Sequence, residues 1–429
     1  MSGVTVPALR FSRIEEPWEP KKLGDIASLI GGYAFPSGDM TSEPTDRQVV
    51  KMSNIYKGRL NLNRNSSFIS HVPDAAMKVQ LRHEDILLSL TGTFGKRDFG
   101  YTVILKKPEG LFLNQRIGLI RTDTLKASAK LLSVVTETNN FQNLFHRLAI
   151  GGTGNQANVS LADCRNINIF LPSLSEQEKI AAFLSEVDGK LVALKTQLAG
   201  WRDFKRGMMQ ALFSQLLRFK ADNGSEFSDW EIVKLEDKFS FHKTNSLSRA
   251  VLGLEKDGIK NIHYGDIHTK YRAQFDISQE ATGIIPKHLS DKAGEPLQKG
   301  DVIFADASED YNDVGKAIEV INLNNHTVVG GLHTIVARPK KDTITLGFAA
   351  YLFASWPLRK QLMRIANGAS VLGISKTNLA KVELTLPSLP EQQKITDALS
   401  AIDTKIEALT ARLDATREFK RGLLQKMFV

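Results

Sequence analysis

The clearest pattern along the chain is an apolar stripe that occurs twice. Ile180, Leu184, Val187, Leu191, Leu194 and Leu198 follow a 3-4 spacing, and Ile395, Leu399, Ile402, Ile406, Leu409 and Leu413 repeat it. That spacing draws one apolar seam along a helix. Each stretch opens with Pro and Ser and then Glu-Gln, a helix start signal, and Glu176 and Glu178 suit a helix N-terminus. The pattern predicts helices from Ser175 to about Leu217 and from Pro390 to about Met427. At 1.5 Å per residue each is about 60 Å long. Gly189 and Gly200 weaken the first by up to ~1 kcal/mol each, whereas the second has Thr404 and Ala415 there. Two such seams in one chain predict an antiparallel coiled coil that relates the flanking bodies by a pseudo-twofold axis. The alternative is a helix packed on its own body.

The stripes belong to a larger repeat. Residues 171–213 align with residues 386–428 without a gap at a spacing of 215, and about half the positions are identical. Upstream, Trp18-Glu19 and Lys22-Leu23 match Trp230-Glu231 and Lys234-Leu235 at a spacing of 212, as do MSNI (52–55) and YGDI (264–267). LRHEDILLS (81–89) resembles LQKGDVIFA (297–305). The chain is therefore two copies of one unit: body 1–170, helix 171–220, body 221–385, helix 386–429. Similar tails imply one shared task; divergent bodies imply two versions of another.

The bodies contain short β-like runs broken by Gly, Pro, Asn and Asp, such as DILLSLTGTFG, RIGLIRTD, DVIFADAS and HTIVARPK, with helical patterns late in each, at 126–148 and 346–366. They read as α+β domains with long polar loops. Several loops have a composition suited to nucleic acid. In the first body they offer Tyr33, Phe35 and Ser37; Thr91, Thr93, Lys96 and Arg97; Asn114, Gln115 and Arg116; and Gln156 and Asn158 in GGTGNQANVS (151–160). In the second body the candidates are Lys243 and Asn245; Lys270, Tyr271 and Arg272; Ser308, Tyr311 and Lys316; His333; and Ser370 and Lys376. Hydroxyls and backbone N–H groups hold phosphates, whereas Arg, Asn, Gln and His read base edges. Each loop alone is equally an ordinary polar turn.

Charge adds one refinement. The net charge is +9, but residues 1–170 carry 21 Lys and Arg against 15 Asp and Glu, while residues 221–385 carry 20 against 21. A second polyanion-binding surface must then be a local patch. The single cysteine, Cys164, rules out an internal disulfide and a multi-cysteine zinc site, and points to a reducing cytoplasm. No apolar run approaches the roughly 20 residues of a membrane span, and the start of the chain lacks the apolar core of a secretory signal.

Enzymatic signatures do not emerge. GGTGN lacks the Gly-Lys-Ser/Thr of a P-loop, and no methyltransferase or nuclease motif stands out. The nine histidines form no cluster along the sequence. A binding protein is favoured over an unrecognised nuclease or a coiled-coil scaffold.

Two divergent bodies, each followed by LPSL.EQ.KI and a heptad helix ending in FKRG, resemble the specificity subunit of type I restriction-modification enzymes. The DILLSLTGTFGK loop, the NQR segment and GGTGNQANVS are also family-like, whereas the second body has ADASEDYNDVGK and GLHT in their places. The resemblance implies two target-recognition domains that each read half of a split, asymmetric site on double-stranded DNA, with the helix pair fixing the gap. It also implies docking of two modification subunits, which bind S-adenosylmethionine and methylate adenine, and of restriction subunits that use ATP and Mg²⁺. No cofactor or metal is expected in this chain, and no catalytic residue. Phe204, Lys205 and Arg206, with Phe419, Lys420 and Arg421, are either a partner-docking surface or a solvated face.

Overall fold

A computed structural model describes residues 9–10, 17–151, 155–253 and 258–428. Gly152, Thr153 and Gly154 of the GGTGNQANVS loop, and residues 1–8 and 11–16 of the N-terminal stretch 1–17 read for a secretory signal, lie outside them. The chain divides into two compact units: residues 1–195 with 412–429, and residues 196–411. Both cuts fall inside the long helices, which run from Leu174 to Phe213 and from Leu389 to Met427. The first helix ends about a turn earlier than its pattern predicts, because Gln215 adopts a left-handed conformation (φ 59°) that stops propagation.

Unit 1 is built on a four-stranded antiparallel sheet in the order Thr102–Ile104, Ile86–Ser89, Ile117–Thr122, Ala27–Gly31. The uninterrupted apolar run ILLS reflects burial on both faces. Ile86 and Leu88 point into one core, with Ile120, and Leu87 points into another, with Ile117 and Leu119. Unit 2 follows the same plan with a five-stranded sheet, Phe239–His242, Thr334–Pro339, Val302–Ala305, Ala317–Asn322, Gln274–Asp276. There Val302 and Phe304 face one core and Ile303 and Ala305 the other. In each unit a short antiparallel pair closes the body at the foot of a long helix: Glu19–Lys22 with Asn168–Leu171, and Glu231–Lys234 with Glu383–Leu386. The late helical patterns resolve into two helices each, Ala129–Glu137 then Asn139–Arg147, and Phe348–Ala354 then Trp356–Ile365, broken at Thr138 and Ser355.

The seam residues are buried, Ile406 only partly. Pairing between helices and packing on a body, set against each other in the sequence reading, occur together. In unit 1, Ile180, Leu184 and Val187 share a core with Leu423 and Met427 of the other helix and with Trp18 and Leu131 of the body. In unit 2, Ile395, Leu399 and Ile402 share a core with Leu212 and Phe213 and with Phe348 and Leu384. The helices run antiparallel within each unit. Lys420 pairs with Asp188 at 2.7 Å in unit 1, and Lys205 with Asp403 at 2.6 Å in unit 2. Each partner is 215 residues from its counterpart, so the repeat encodes the pairing. No helix among the described residues is long and apolar enough to cross a membrane.

Glu319, in the core of unit 2, accepts N–H donors from Gly347 (2.6 Å) and Ala350 (2.8 Å) at the start of the helix Phe348–Ala354. Burial nevertheless pushes its carboxyl up from 4.5 to about 7. The folded chain then holds a proton that the unfolded chain releases at lower pH. This contribution to stability is full below the unfolded value and is lost as pH rises through about 7. Urea unfolding of Glu319→Gln is expected to lack this slope, which in the parent reaches at most about 1.4 kcal/mol per pH unit.

Candidate nucleic-acid interface

The two bodies can be superposed residue by residue through their backbone hydrogen bonds. Tyr33 N–H donates to Leu113 O in unit 1, and Asn245 N–H donates to Gly330 O in unit 2. Asn114 and Gly331 donate to Val50 O and Ile262 O. Leu90 and Asp306 donate to the carbonyls of Arg116 and His333, and themselves accept from Val159 and Ile374. An invariant of the frame is a buried carboxylate below these loops. Asp85 takes the guanidinium of Arg121 at 2.7–2.8 Å, and Asp301 takes that of Arg338 at the same distances.

On this frame unit 1 presents one connected polar surface. The strand Thr91–Thr93 pairs antiparallel with Gln156–Asn158, with Asn158 opposite Thr91. Thr91, Gln156 and Asn158 line a recess with Gln115 and Arg116. The same Gln115 and Arg116 line an adjoining recess with Asn114, Lys51 and Ser53. Sequence reasoning missed Lys51 and Ser53; the signal for them is the repeated MSNI, which contains Ser53 and directly follows Lys51. The turn after Thr93 is tied by Asp98, which accepts from Thr93 N–H and its hydroxyl (2.8 and 2.7 Å); these bonds hold its carboxyl below the usual range. Lys96 is exposed, and Arg97 is held by Asn143 at 2.6 Å. Tyr33 and Ser37 lie on the neighbouring 31–40 loop rather than in the recesses.

Several candidates have structural duties instead. Phe35 is buried in the second core of unit 1, with Tyr33 edge-on at 4.9 Å. Asn245 is buried, and its amide donates to Asn261, Ala293 O and Gly330 O. Tyr271 is buried, its hydroxyl bonded to Ala281 O, and Ser308 is buried too. Arg272 is paired with Glu407, Lys270 with Asp266, and Lys316 donates to His268 O. Burial leaves Phe35, Asn245, Tyr271 and Ser308 engaged inside their own unit, whereas Lys270 and Arg272 are half-exposed within their ion pairs. Of the remainder in unit 2, Lys243, Tyr311, His333, Ser370 and Lys376 are exposed.

Three histidines separated in sequence do meet in space. His263, His268 and His333 surround Tyr264 with ring centroids 4.7, 6.0 and 5.2 Å away. Burial lowers the His263 imidazole below its usual value, and Arg249 lowers it further. Only the repeat could have exposed this group, since YGDI and GLHT occupy the places of MSNI and NQR. Among the described residues no group of three or more His, Cys, Asp and Glu is placed to hold a metal ion.

The repeated Glu-Gln of the tails is a structural device that the sequence reading took for helix-end charge. Glu176 and Glu391 are fully buried; the first binds Arg10 (2.6 and 3.1 Å), and the second binds Arg218 (2.8 and 3.1 Å) and the indole N–H of Trp230 (3.1 Å). Gln177 and Gln392 each tie the loop before the helix, at Pro172 O and Pro387 O, to the body through Ser128 N–H and Thr345 N–H. Of the FKRG residues, Lys205 and Lys420 are held in the ion pairs described above, while Phe204, Arg206, Phe419 and Arg421 are exposed.

Two α+β bodies on one repeated frame, each displaying a different loop-and-strand surface, define a duplicated recognition protein. The chain belongs to the type I restriction modification DNA specificity domain family, whose pattern matches residues 15–199 and again residues 227–416. Its function is that of a specificity subunit, DNA sequence recognition, a role that is non-catalytic in this family. It is 23% identical to a putative type I restriction enzyme MjaX specificity subunit of Methanocaldococcus jannaschii, over 96% of this chain and 93% of that protein. It is 21% identical to the type I restriction enzyme StySPI specificity subunit of Salmonella potsdam, over 97% and 89%. The fold matches the S subunit of a type I restriction-modification system from M. genitalium with a TM-score of 0.59, at 16% identity over 99% of both chains. A second solved structure, from work on complex assembly and conformational transition of the type I R-M system, gives a TM-score of 0.55 at 17% identity over 96% and 97%.

Proposed function

We propose that the chain reads a bipartite, asymmetric site on double-stranded DNA, one half through each body, and thereby directs two modification subunits and the restriction subunits of a type I complex. The observation that carries this is a conserved frame with exchanged surface chemistry. Thr91, Thr93, Gln156 and Asn158 of unit 1 correspond to Ala307, Glu309, Val371 and Gly373 of unit 2. Such different side chains suit two readers of unlike half-sites better than two readers of one identical half-site. The long helices act as the spacer, since about 60 Å of helix corresponds to nearly two DNA turns of about 34 Å. Exposed Phe204 and Arg206, repeated as Phe419 and Arg421, offer two equivalent docking surfaces, which fits two copies of one modification subunit. S-adenosylmethionine, ATP and Mg²⁺ then belong to the partner subunits, and the complex works in the cytoplasm, where the DNA is.

Exchanging residues 1–170 for the corresponding body of another family member tests this reading. Methylation directed by the hybrid is expected to change in one half of the motif and keep the other half and the gap. A change in both halves, or in neither, contradicts it. DNA affinity of the chain is also expected to fall linearly in log K against log salt concentration, as phosphate contacts require.

A further inference from the structure

Arg116 and His333 share a conformation that few non-glycine residues adopt. Both lie in the left-handed region, at φ 70° and 53°. Both carbonyls accept from the residue that follows a central strand, Leu90 in one unit and Asp306 in the other. Both side chains are exposed. Among the described residues the Arg116 guanidinium has no protein partner, and only Nδ1 of His333 has one, 3.2 Å from Asp306 Oδ1. Non-glycine residues held in this region cluster at functional sites, where the surrounding structure imposes the conformation.

The neighbours of the two residues differ. Arg116 sits among Thr91, Gln115, Gln156 and Asn158. The equivalents around His333 are Ala307, Leu332, Val371 and Gly373, none with a polar side chain. In their place His333 has the ring of Tyr264 and the carboxylate of Asp306, which burial raises above its usual range while His333 and Lys376 lower it. Unit 2 thus keeps hydrogen-bonding capacity at this position while losing it at four positions around it.

We infer that residues 116 and 333 are one reading position occurring twice, and that His333, rather than the polar set that unit 1 uses, sets base choice in the second half-site. This rests on the DNA-reading role proposed above. Arginine presents a fixed fork that matches O6 and N7 of guanine in the major groove. Histidine, with Nδ1 turned to Asp306, presents a single ring nitrogen and cannot make that two-point contact. The two half-sites are therefore expected to differ at this position, guanine opposite Arg116 and a base read by one hydrogen bond opposite His333.

The test uses the full chain with its modification subunit and reads the methylated motif by single-molecule sequencing. Asparagine tolerates the left-handed conformation, so Arg116→Asn and His333→Asn remove the reading groups without imposing backbone strain, and thermal melting checks that the fold persists. Each is expected to relax one base position, in opposite halves of the motif, by about 10- to 100-fold in discrimination. His333→Arg is expected to move the second half-site toward guanine there, and Arg116→Lys to keep overall DNA affinity while losing the base preference. A bipartite motif that stays unchanged in all four variants overturns the inference and leaves the DNA-reading role intact. A parent chain that directs no bipartite motif removes both.

Discussion

Replacing Leu399 with Asp is expected to unfold much of unit 2. Leu399 is fully buried where the second long helix meets Phe213 of the first and Phe348 of the body. The change removes a core side chain and places a carboxylate where nothing pairs with it, an effect of more than about 4 kcal/mol. Leu184→Asp, the equivalent change 215 residues earlier, is expected to do the same to unit 1. Hydrogen exchange read peptide by peptide distinguishes the two, because protection is lost first around the substituted core. The same substitution at exposed Lys405 is expected to stay within about 0.5 kcal/mol. Leu191→Asp with Ile406→Asp, a buried and a half-buried seam position 215 residues apart, is expected to disturb assembly or half-site spacing rather than base choice.

Glu391→Ala is expected to cost about 3 kcal/mol or more in urea unfolding. It strips Arg218 of two charge-assisted hydrogen bonds and Trp230 of its indole acceptor, and Arg218 stays mostly covered. Glu391→Gln keeps an acceptor for the indole and is expected to lose less. Replacing Glu391 and Arg218 together with methionine is expected to recover much of the loss, since removing both charges leaves none buried alone. By contrast, Asp203→Ala, which breaks the exposed pair with Arg206, is expected to change stability by less than about 1 kcal/mol.

What was legible in the sequence was whatever the repeat encodes twice. The seams, the duplicated frame and the α+β bodies follow from apolar spacing, and spacing survives divergence because cores must still be filled. The Glu-Gln pair was visible as a repeat, but its duty was not: Arg10 lies 166 residues from Glu176, and Arg218 lies 173 from Glu391. In unit 1 the residues read from loop composition, Thr91, Asn114, Gln115, Arg116, Gln156 and Asn158, come together around two recesses. In unit 2 the same composition argument selected Asn245, Tyr271 and Ser308, which the fold consumes internally. It also passed over the meeting of His263, Tyr264, His268 and His333, since 60 or more residues separate GLHT from the other segment. Composition identifies residues able to bind a partner, whereas burial and local pairing decide which remain available.

Genome-wide methylation mapping in cells that express a modification subunit, with and without this chain, tests the two-reader account most directly. The account predicts methyl-adenine in a two-part motif with a fixed unread gap and unlike halves, appearing only when the chain is present. Methylation that is indifferent to the chain, or confined to one contiguous motif, would contradict it.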